Sequence, residues 1–367
     1  MTDKETDTYF MEKVIKLAKN GQYTVHPNPM VGAIVVKNNK IISSGYHRKP
    51  GGPHAEQEAI KKAGRNAKNS TLYINLEPCC HYGRTPPCSD LIIQSKIRRV
   101  VVSCLDPNPL VNGKSIKQLR RSGIIVHTGT LRKEAKELNK GFFSKFINSR
   151  PHITAKFGMS MDGKISLESG ESKWITNKES RADAQKERAL NSVIFTSSKT
   201  VLYDNPQMTV RDNNLIKKII KQPDLAIIDR NLEVPTNSKI FKDKSRLIYI
   251  FTSRRRSSKK YKSNVILVKV SSKNNLLNIN ECLEYLAKQD INNVFLESGS
   301  RLMGSFLKDN LIDELLLYVA PKILGSTSIP FSGVQHIKKL SDKINFLISD
   351  MIVINKQLKI KLEKQYV

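Results

Sequence analysis

The chain has 367 residues, five cysteines and a formal net charge of +29 at pH 7. Its length favours two domains, each large enough for its own core, and its hydrophobic share of 39% lies well above that of disordered proteins. No apolar run is long enough for a membrane span, and the polar start lacks the apolar core of a signal peptide. With an odd number of cysteines, which argues against a disulfide framework, these features predict a cytoplasmic protein.

The positive charge raises the question of nucleic-acid binding. Lysines are scattered among asparagines and isoleucines along the whole chain, as in 213–221, which is the bias that an A+T-rich genome gives any protein. The one dense basic run, 253–260, lacks the interleaved aromatic residues that stack on bases. We therefore expect a small phosphorylated substrate, and neither a nucleic-acid nor a membrane partner.

Hydrophobic periodicity and turn residues predict alternating helices and strands in the first half of the chain. The predicted elements are a helix at 7–20, a hairpin at 31–42, a helix at 54–63, a strand at 71–76, a helix from about 88, a strand at 100–104, a helix at 115–121, a strand at 124–127 and a helix at 131–146. This alternation predicts a layered α/β domain with a largely parallel sheet over residues 1–147.

The second half, 148–367, is predicted to be another α/β domain. A strand at 152–157 is followed by a turn at 158–163, and Thr176 and Glu179 are spaced as the capping box of a helix. Further strands are predicted at 193–196, 225–229, 247–251, 265–268 and 294–296.

One histidine and two cysteines have the pattern of a metal site. His54 opens a predicted helix, and Cys79 and Cys88 follow the strand at 71–76. Three such ligands leave the fourth tetrahedral position of zinc to water, as in catalytic zinc sites. Glu56 could reach that water and carry its proton. His-x-Glu followed by Pro-Cys is the pattern of zinc deaminases that act on bases.

The cysteine spacing departs from that pattern. Eight residues separate Cys79 from Cys88, where the pattern has two, which argues against the simplest nucleoside or tRNA deaminases. Cys80 is a rival ligand, but adjacent residues rarely bind one ion together. We therefore predict His54, Cys79 and Cys88, which lie near helix starts where the helix dipole favours thiolate.

Three further features each allow two interpretations. Asn28 could bond the edge of a pyrimidine ring or could only build its proline-fixed turn. The segment 299–305, a small-residue loop between a buried strand and a helix, could bind a phosphate or form a plain connection. Trp174, the only tryptophan, could stack on a flat ring or pack in the core.

Together these stretches resemble the bacterial bifunctional deaminase–reductases of riboflavin biosynthesis over nearly the whole chain. Motifs of the deaminase half are matched at 26–29, 54–56, 76–81, 83–88, 106–109 and 138–142. Motifs of the reductase half are matched at 160–163, 170–176, 204–211 and 320–322.

The resemblance implies a cytidine-deaminase-like domain followed by a dihydrofolate-reductase-like domain. It also implies two successive reactions, with Zn²⁺ and NADPH as cofactors. In the first, a diaminopyrimidinone that carries a phosphoribosylamino group is hydrolytically deaminated. In the second, its ribosyl group is reduced to ribityl by hydride from NADPH.

The resemblance further implies residue roles. Zinc would be held by His54, Cys79 and Cys88, with Glu56 as the catalytic proton carrier. The NADPH site would be lined by Gly158, Trp174, Thr200, Asp204, Gly299, Ser300, Arg301, Leu302, Met303, Gly304 and Ser305. The substrate site of the reductase would be lined by Ser172, Arg188, Met208, Arg211 and Glu297, with Lys156 as a further candidate. The planar guanidinium groups are suited to bidentate phosphate binding.

The chain departs from the family pattern at Cys80, Tyr82 and Arg230, none of which is a proposed ligand. Two alternatives stay open from the residues alone. A nucleic-acid deaminase with a basic binding module would bind RNA in a salt-dependent manner without oxidising NADPH. A scaffold protein would use the zinc only structurally. The expected assembly is either a monomer or a homo-oligomer.

Overall fold

The computed structural model describes residues 2–82, 86–255, 261–334 and 337–365. The chain forms two compact units, Met1–Ser149 and Arg150–Val367. Part of the 83–88 motif and residues 256–260 of the basic run lie outside the described residues. Among the helices described, none has both the length and the apolar character needed to cross a membrane.

The first unit is a five-stranded sheet flanked by helices. Its elements, in chain order, are α1 (Asp3–Ala18), β1 (Gly32–Lys37), β2 (Lys40–Tyr46), α2 (Ala55–Ala63), β3 (Thr71–Leu76), α3 (Cys88–Gln94), β4 (Arg99–Cys104), α4 (Lys114–Arg121), β5 (Ile125–Thr128), α5 (Arg132–Leu138) and α6 (Lys140–Ile147). The strand order is β2-β1-β3-β4-β5.

The prediction of a largely parallel sheet is wrong for half of its strand pairs. β1 is antiparallel to both β2 and β3, whereas β3, β4 and β5 are mutually parallel. The tight turn between β1 and β2 explains the first antiparallel pair. Asn38 and Asn39 both adopt left-handed backbone conformations there, as a two-residue hairpin turn requires.

Apolar side chains cover both faces of this sheet. On one face, α2 and α3 pack Ala59, Ile60 and Ile92 against the strands, and on the other α1 packs Phe10 and Val14. Each of these side chains is at most 5% exposed. The packing fixes α2 against the sheet and so fixes the residues at its N-terminal end.

The helix predicted at 131–146 is interrupted at Asn139. The amide side chain of Asn139 accepts a hydrogen bond from Met30 N at 2.7 Å and donates one to Met30 O at 2.9 Å. These bonds tie the junction of α5 and α6 to the segment before β1. Helical periodicity continues through the junction, so it could not reveal this long-range contact.

The second unit is built on a nine-stranded sheet. Its elements, in chain order, are β6 (His152–Ser160), β7 (Lys164–Ser166), α7 (Lys178–Ala189), β8 (Val193–Ser197), α8 (Ser198–Asp204), α9 (Asn213–Ile216), β9 (Asp224–Ile228), β10 (Ile248–Thr252), β11 (Val265–Lys269), β12 (Ser272–Lys273), β13 (Leu276–Leu277), α10 (Ile279–Lys288), β14 (Asn293–Leu296), α11 (Ser300–Lys308), β15 (Glu314–Ala320), β16 (Ile329–Pro330), β17 (Phe346–Ile354) and β18 (Gln357–Lys364).

The large sheet has the order β11-β10-β9-β8-β14-β6-β15-β18-β17. Its strands are parallel from β11 to β15, and the hairpin of β18 and β17 adds two antiparallel strands. The five later strands predicted for this half are present within two residues of their predicted ends.

Three local predictions in this unit are wrong. The strand predicted to end at 157 continues to Ser160, because β15 pairs with it from Thr154 to Ser160. The N-cap of α7 is Asn177 and not Thr176: the Asn177 side chain accepts a hydrogen bond from Ser180 N at 2.8 Å. The segment 299–305 is not a loop, since α11 begins at Ser300 with Gly299 as its N-cap.

Candidate functional site

Three predicted ligands converge at the carboxyl end of β3. His54 is the N-cap residue of α2, Cys79 follows β3, and Cys88 is the first residue of α3. Their donor atoms lie within 4.8 Å of one another. The strand and the two helix starts thus bring together residues that are up to 34 positions apart in sequence.

The separations of these donor atoms suit zinc. His54 Nδ1 lies 3.3 Å from Cys88 Sγ and 3.6 Å from Cys79 Sγ. Tetrahedral zinc with bonds of about 2.0 Å to nitrogen and about 2.3 Å to sulfur places a nitrogen and a sulfur ligand about 3.5 Å apart. Two sulfurs and one imidazole nitrogen are also the donor types that zinc prefers. The three residues therefore fit a zinc ion that keeps one open position.

The electrostatics of the two sulfurs differ. Hydrogen bonds from Cys88 lower the pKa of the Cys79 thiol, and the Cys88 backbone N lies 3.4 Å from Cys79 Sγ. The same shared bond, together with burial, raises the pKa of the Cys88 thiol. Cys80 is outside the cluster, because its Sγ is directed at Leu110 O at 3.8 Å. The two thiols thus interact directly and lie close enough to bind one cation together.

Glu56 is buried beside the donor atoms. It lies in the first turn of α2 and is 3% exposed. Burial raises the pKa of its carboxyl group to about 7, against the opposing effect of the nearby His54. A carboxyl group with a pKa near neutrality can both accept and release a proton, as general acid–base catalysis requires.

His47 belongs to the same pocket although the sequence did not single it out. Its Nε2 lies 2.9 Å from Asn28 Nδ2, and its ring lies 5.5 Å from that of His54. Its Nδ1 lies 2.9 Å from Pro53 O, which can only accept a hydrogen bond, so Nδ1 donates and Nε2 accepts from Asn28. Burial lowers the pKa of His47, which favours this neutral form. Asn28 is therefore held toward the site by a side chain 19 residues away.

In the second unit, Arg188 and Glu297 form a largely buried ion pair, with side chains 9% and 13% exposed. Arg188 donates from Nη2 to both carboxylate oxygens of Glu297, at 2.7 and 2.8 Å, and from Nε at 3.1 Å. Burial alone would raise the pKa of Glu297, but the positive charges of Arg188 and Lys156 lower it below its usual value. Lys156, on β6, has a pKa lowered by its burial. Two predicted substrate residues and the further candidate thus form one charged cluster.

Trp174 is not a core residue, because 63% of it is exposed. The guanidinium carbon of Arg181 lies 4.2 Å from the centre of its ring, and its carbonyl oxygen accepts a hydrogen bond from Lys322 Nζ at 3.0 Å. An exposed indole with a guanidinium over its ring is suited to stacking on a flat ring as well, the first of the two interpretations offered by the sequence.

The residues predicted to line the cofactor site lie at several element ends. Gly158 is on β6, and Thr200 and Asp204 are in the short helix α8. A side chain at Gly158 would come within 3.1 Å of Thr176, so the backbone approaches closely there. At the start of α11, Gly299 offers no side-chain cap, and a methyl group placed on it would meet open space. Uncapped backbone N–H groups beside open space are suited to a phosphate of NADPH.

The other residues predicted to line the cofactor and substrate sites differ in how deeply they are buried. Met303 and Gly304 are buried in α11, and Gly304 packs against Gly333, so these two face the core. Ser172 is half-buried before α7, and Arg211 is exposed after α8. Met208 is 6% exposed and adopts a left-handed backbone conformation, with φ of 51°.

Comparison with known proteins agrees with this division. Residues 4–104 match the model of the cytidine and deoxycytidylate deaminase zinc-binding region, and residues 151–354 match that of the RibD C-terminal domain. A riboflavin biosynthesis protein RibD from Buchnera aphidicola is 42% identical over 98% of both chains.

Solved structures cover the same length. RibD from Acinetobacter baumannii superposes with a TM-score of 0.91 at 34% identity, over 99% of this chain and all of that one. A diaminohydroxyphosphoribosylaminopyrimidine deaminase/5-amino-6-(5-phosphoribosylamino)uracil reductase from Thermotoga maritima gives 0.87 at 32% identity, over 99% of both. The expected family, fold class and cofactors, Zn²⁺ and NADPH, are therefore confirmed. The chain belongs to the RibD family of riboflavin biosynthesis proteins, in which a zinc-dependent deaminase and an NADPH-dependent reductase are joined in one bifunctional enzyme.

Proposed function

We propose that residues 1–147 deaminate a diaminopyrimidinone carrying a phosphoribosylamino group, and that residues 148–367 then reduce its ribosyl group to ribityl. The observation that carries the first half is the buried Glu56 beside a three-residue donor set that suits zinc. The relative from Thermotoga maritima bears the names of both activities and spans the same length.

For the deamination, zinc would be held by His54, Cys79 and Cys88 and would act as the Lewis acid that activates water. Glu56 takes the proton of that water and delivers it to the departing ammonia, for which its pKa of about 7 is favourable. Asn28, oriented by its hydrogen bond to His47, would bond the edge of the pyrimidine ring.

For the reduction, NADPH supplies the hydride. Trp174 and the N-terminal end of α11 would bind parts of the cofactor, together with Gly158, Thr200 and Asp204. Glu297 and Lys156 would face the ribosyl group, because their opposite charges interact and Lys156 lies on β6. Arg211 would bind the substrate phosphate, with Ser172 and Met208 completing the pocket.

The test is to incubate the zinc-loaded protein with the phosphoribosylamino diaminopyrimidinone and NADPH, recording ammonia release and NADPH oxidation together. We expect both signals from the wild type. Glu56→Gln should stop both while leaving zinc content and reduction of the pre-deaminated substrate intact, because Gln cannot carry the proton.

Each other outcome contradicts part of the proposal. Ammonia release without NADPH oxidation would contradict the reductase half. A Glu56→Gln variant that still releases ammonia at the wild-type rate would contradict the role of Glu56. Neither signal, combined with salt-dependent RNA binding, would support the nucleic-acid deaminase instead.

We also propose that the enzyme is a cytoplasmic homo-oligomer. Its five cysteines carry no disulfide, which supports a reducing compartment. The edge strand β17 exposes apolar side chains on both faces, among them Ile348 at 65% and Val353 at 70%. Exposed apolar edge strands are sites of pairing with another chain, which supports assembly through this edge.

A further inference from the structure

The segment between α8 and α9 carries two of the proposed substrate residues but has no regular structure of its own. Residues 205–212 form neither helix nor strand, and they include Met208 and Arg211. Met208 has a φ of 51°, a backbone conformation that residues other than glycine adopt only when their surroundings impose it. Something outside the segment must therefore hold it.

Arg246 holds the first part of this segment. Its Nη2 donates to Gln207 O at 2.8 Å, and its Nη1 donates to Met208 O. The same two nitrogens lie 3.4 Å from Ile240 O and Pro223 O. The rigid guanidinium fork is the group that can bond two successive carbonyl oxygens at once.

Other side chains hold the next three residues. Arg188 donates from Nη1 to Thr209 O at 2.5 Å. Gln222 makes a pair of bonds with the Val210 backbone, accepting from its N at 2.8 Å and donating to its O at 3.0 Å. Gln185 accepts from Arg211 N at 2.8 Å. Every residue from 207 to 211 thus has its backbone bonded to a side chain from elsewhere in the unit.

Arg246 is the least expected of these groups. It is 1% exposed, all four of its oxygen neighbours are backbone carbonyls, and its Nε is buried without a hydrogen-bond partner among the described residues. Burial lowers its pKa to about 10, so it is still charged near neutral pH. A buried charge is costly and an apolar side chain would pack more cheaply, so packing alone does not account for it.

Arg211 is the side chain that this arrangement would place. Arg188 uses Nε, Nη1 and Nη2 on Glu297 and Thr209, so its guanidinium is already engaged. Arg211 is exposed at the end of the held segment. It is therefore the better of the two arginines to bind a phosphate in bidentate fashion.

We propose that Arg246, supported by Gln222, is a positioning residue that sets Arg211 for the phosphate of the reductase substrate and so determines specificity for phosphorylated substrates. The inference rests on the proposed reductase site. Arg246 acts through the backbone, since its hydrogen bonds go to the carbonyl oxygens of Gln207 and Met208. The proposed cofactor residues lie outside the held segment, so NADPH binding should not depend on it.

The test uses the full-length enzyme with Arg246→Lys, which keeps the charge but replaces the fork by a single ammonium group. KM is measured for the pre-deaminated substrate with and without its phosphate, and for NADPH. We expect KM for the phosphorylated substrate to rise by about tenfold or more, the loss of one charge-assisted hydrogen bond. KM for the dephosphorylated substrate and for NADPH should stay within about twofold, below the effect of one such bond.

A matched control separates positioning from stability. Arg150→Lys breaks another bidentate contact of the same unit, that of Arg150 with Asp313 at 2.6 and 2.8 Å. It should lower the unfolding temperature without changing the preference for phosphate. Gln222→Leu, which removes both bonds to Val210, should lower the preference for the phosphorylated substrate, as Arg246→Lys should. It replaces Arg246→Lys in the test if that variant does not fold.

Hydrogen exchange gives a readout that needs no substrate. The amides of Val210 and Arg211 should exchange faster than in the wild type in Arg246→Lys, and at the wild-type rate in Arg150→Lys. A wild-type phosphate preference in well-folded Arg246→Lys and Gln222→Leu, or unchanged exchange at these amides, would overturn the inference. An equal rise in KM for the phosphorylated substrate, the dephosphorylated substrate and NADPH would also overturn it, because Arg246 would then only stabilise the fold. A wild type that does not oxidise NADPH would instead contradict the proposed function, while the exchange result would still decide whether Arg246 holds the segment.

Discussion

At the scale of single residues, the partners of a polar group decide what it can still bind. Arg188 and Arg211 are both predicted from sequence as phosphate ligands. In the structure Arg188 is bonded to Glu297 and to Thr209 O, so its charge is used to hold a carboxylate in place. Removing one partner of a buried pair of this kind lowers the stability of the protein considerably, because the other charge is then left without compensation.

The choice between Cys80 and Cys88 as the second sulfur ligand is testable at the same scale. Cys88→Ser should lower zinc affinity by more than about 100-fold, since even the loss of groups that only orient ligands costs about 10–100-fold. Cys80→Ser should retain wild-type zinc content, because Cys80 Sγ is directed at Leu110 O. Metal content per chain after dialysis against a weak chelator measures both.

Absorption of the cobalt-substituted protein provides the check on ligand identity. Loss of one thiolate should weaken the sulfur-to-cobalt charge-transfer band in Cys88→Ser and leave it unchanged in Cys80→Ser. The reverse result would make Cys80 the ligand, and the predicted set His54, Cys79 and Cys88 would be wrong.

At the scale of elements, the site depends on how closely α2 approaches the sheet. Gly45 on β2 faces the first turn of α2, and a methyl group there would lie 2.6 Å from Ala55 O and 2.8 Å from Ala59 N. Both obstacles are backbone atoms of the helix that carries Glu56 and follows His54. The helix would have to move as a body to make room, which would shift the predicted ligand and the proton carrier together.

Gly45→Ala should therefore destabilise the deaminase unit by about 1–3 kcal/mol, the usual cost of overpacking, and lower ammonia release. Reduction of the pre-deaminated substrate should be unchanged, because the reductase unit is separate. Gly52→Ala is the comparison, since the atoms nearest to its added methyl group would be those of Lys49, at 3.2 Å and beyond. Equal ammonia release from the two variants would contradict this explanation of how α2 is positioned.

At the scale of the whole molecule, the proposed assembly through β17 can be measured directly. The double substitution Met351→Lys and Val353→Lys places two charges on one face of the strand, where the native side chains are 58% and 70% exposed. We expect light scattering coupled to size exclusion to give a multiple of the 41.5 kDa chain mass for the wild type and a single chain for the variant.

Ile220→Lys is the matched control, because Ile220 is 59% exposed but lies outside β17. It should leave the mass of the assembly unchanged. A wild type that elutes as a single chain at all concentrations would contradict the proposal, and so would a double variant with the wild-type mass.

Much of the fold followed from local patterns. The β1–β2 hairpin was predictable from adjacent asparagines between apolar runs, and α2 and β3 from their periodicity and turn residues. Local patterns failed to predict the structure where contacts between distant segments decide it. The break at Asn139 depends on Met30, the extension of β6 depends on β15, and the N-cap of α7 is decided by Asn177, which also donates to Asn355 O at 2.9 Å.

By itself the sequence determined the two α/β domains and their family, and it indicated the zinc ligands His54, Cys79 and Cys88, because helix starts and ligand spacing are short-range features. Only the tertiary structure decided that Trp174 is exposed, that Arg188 is engaged with Glu297, and that the backbone of 207–211 is held by side chains such as Arg246. These outcomes depend on burial and on hydrogen bonds between residues up to 109 positions apart, which no local pattern encodes.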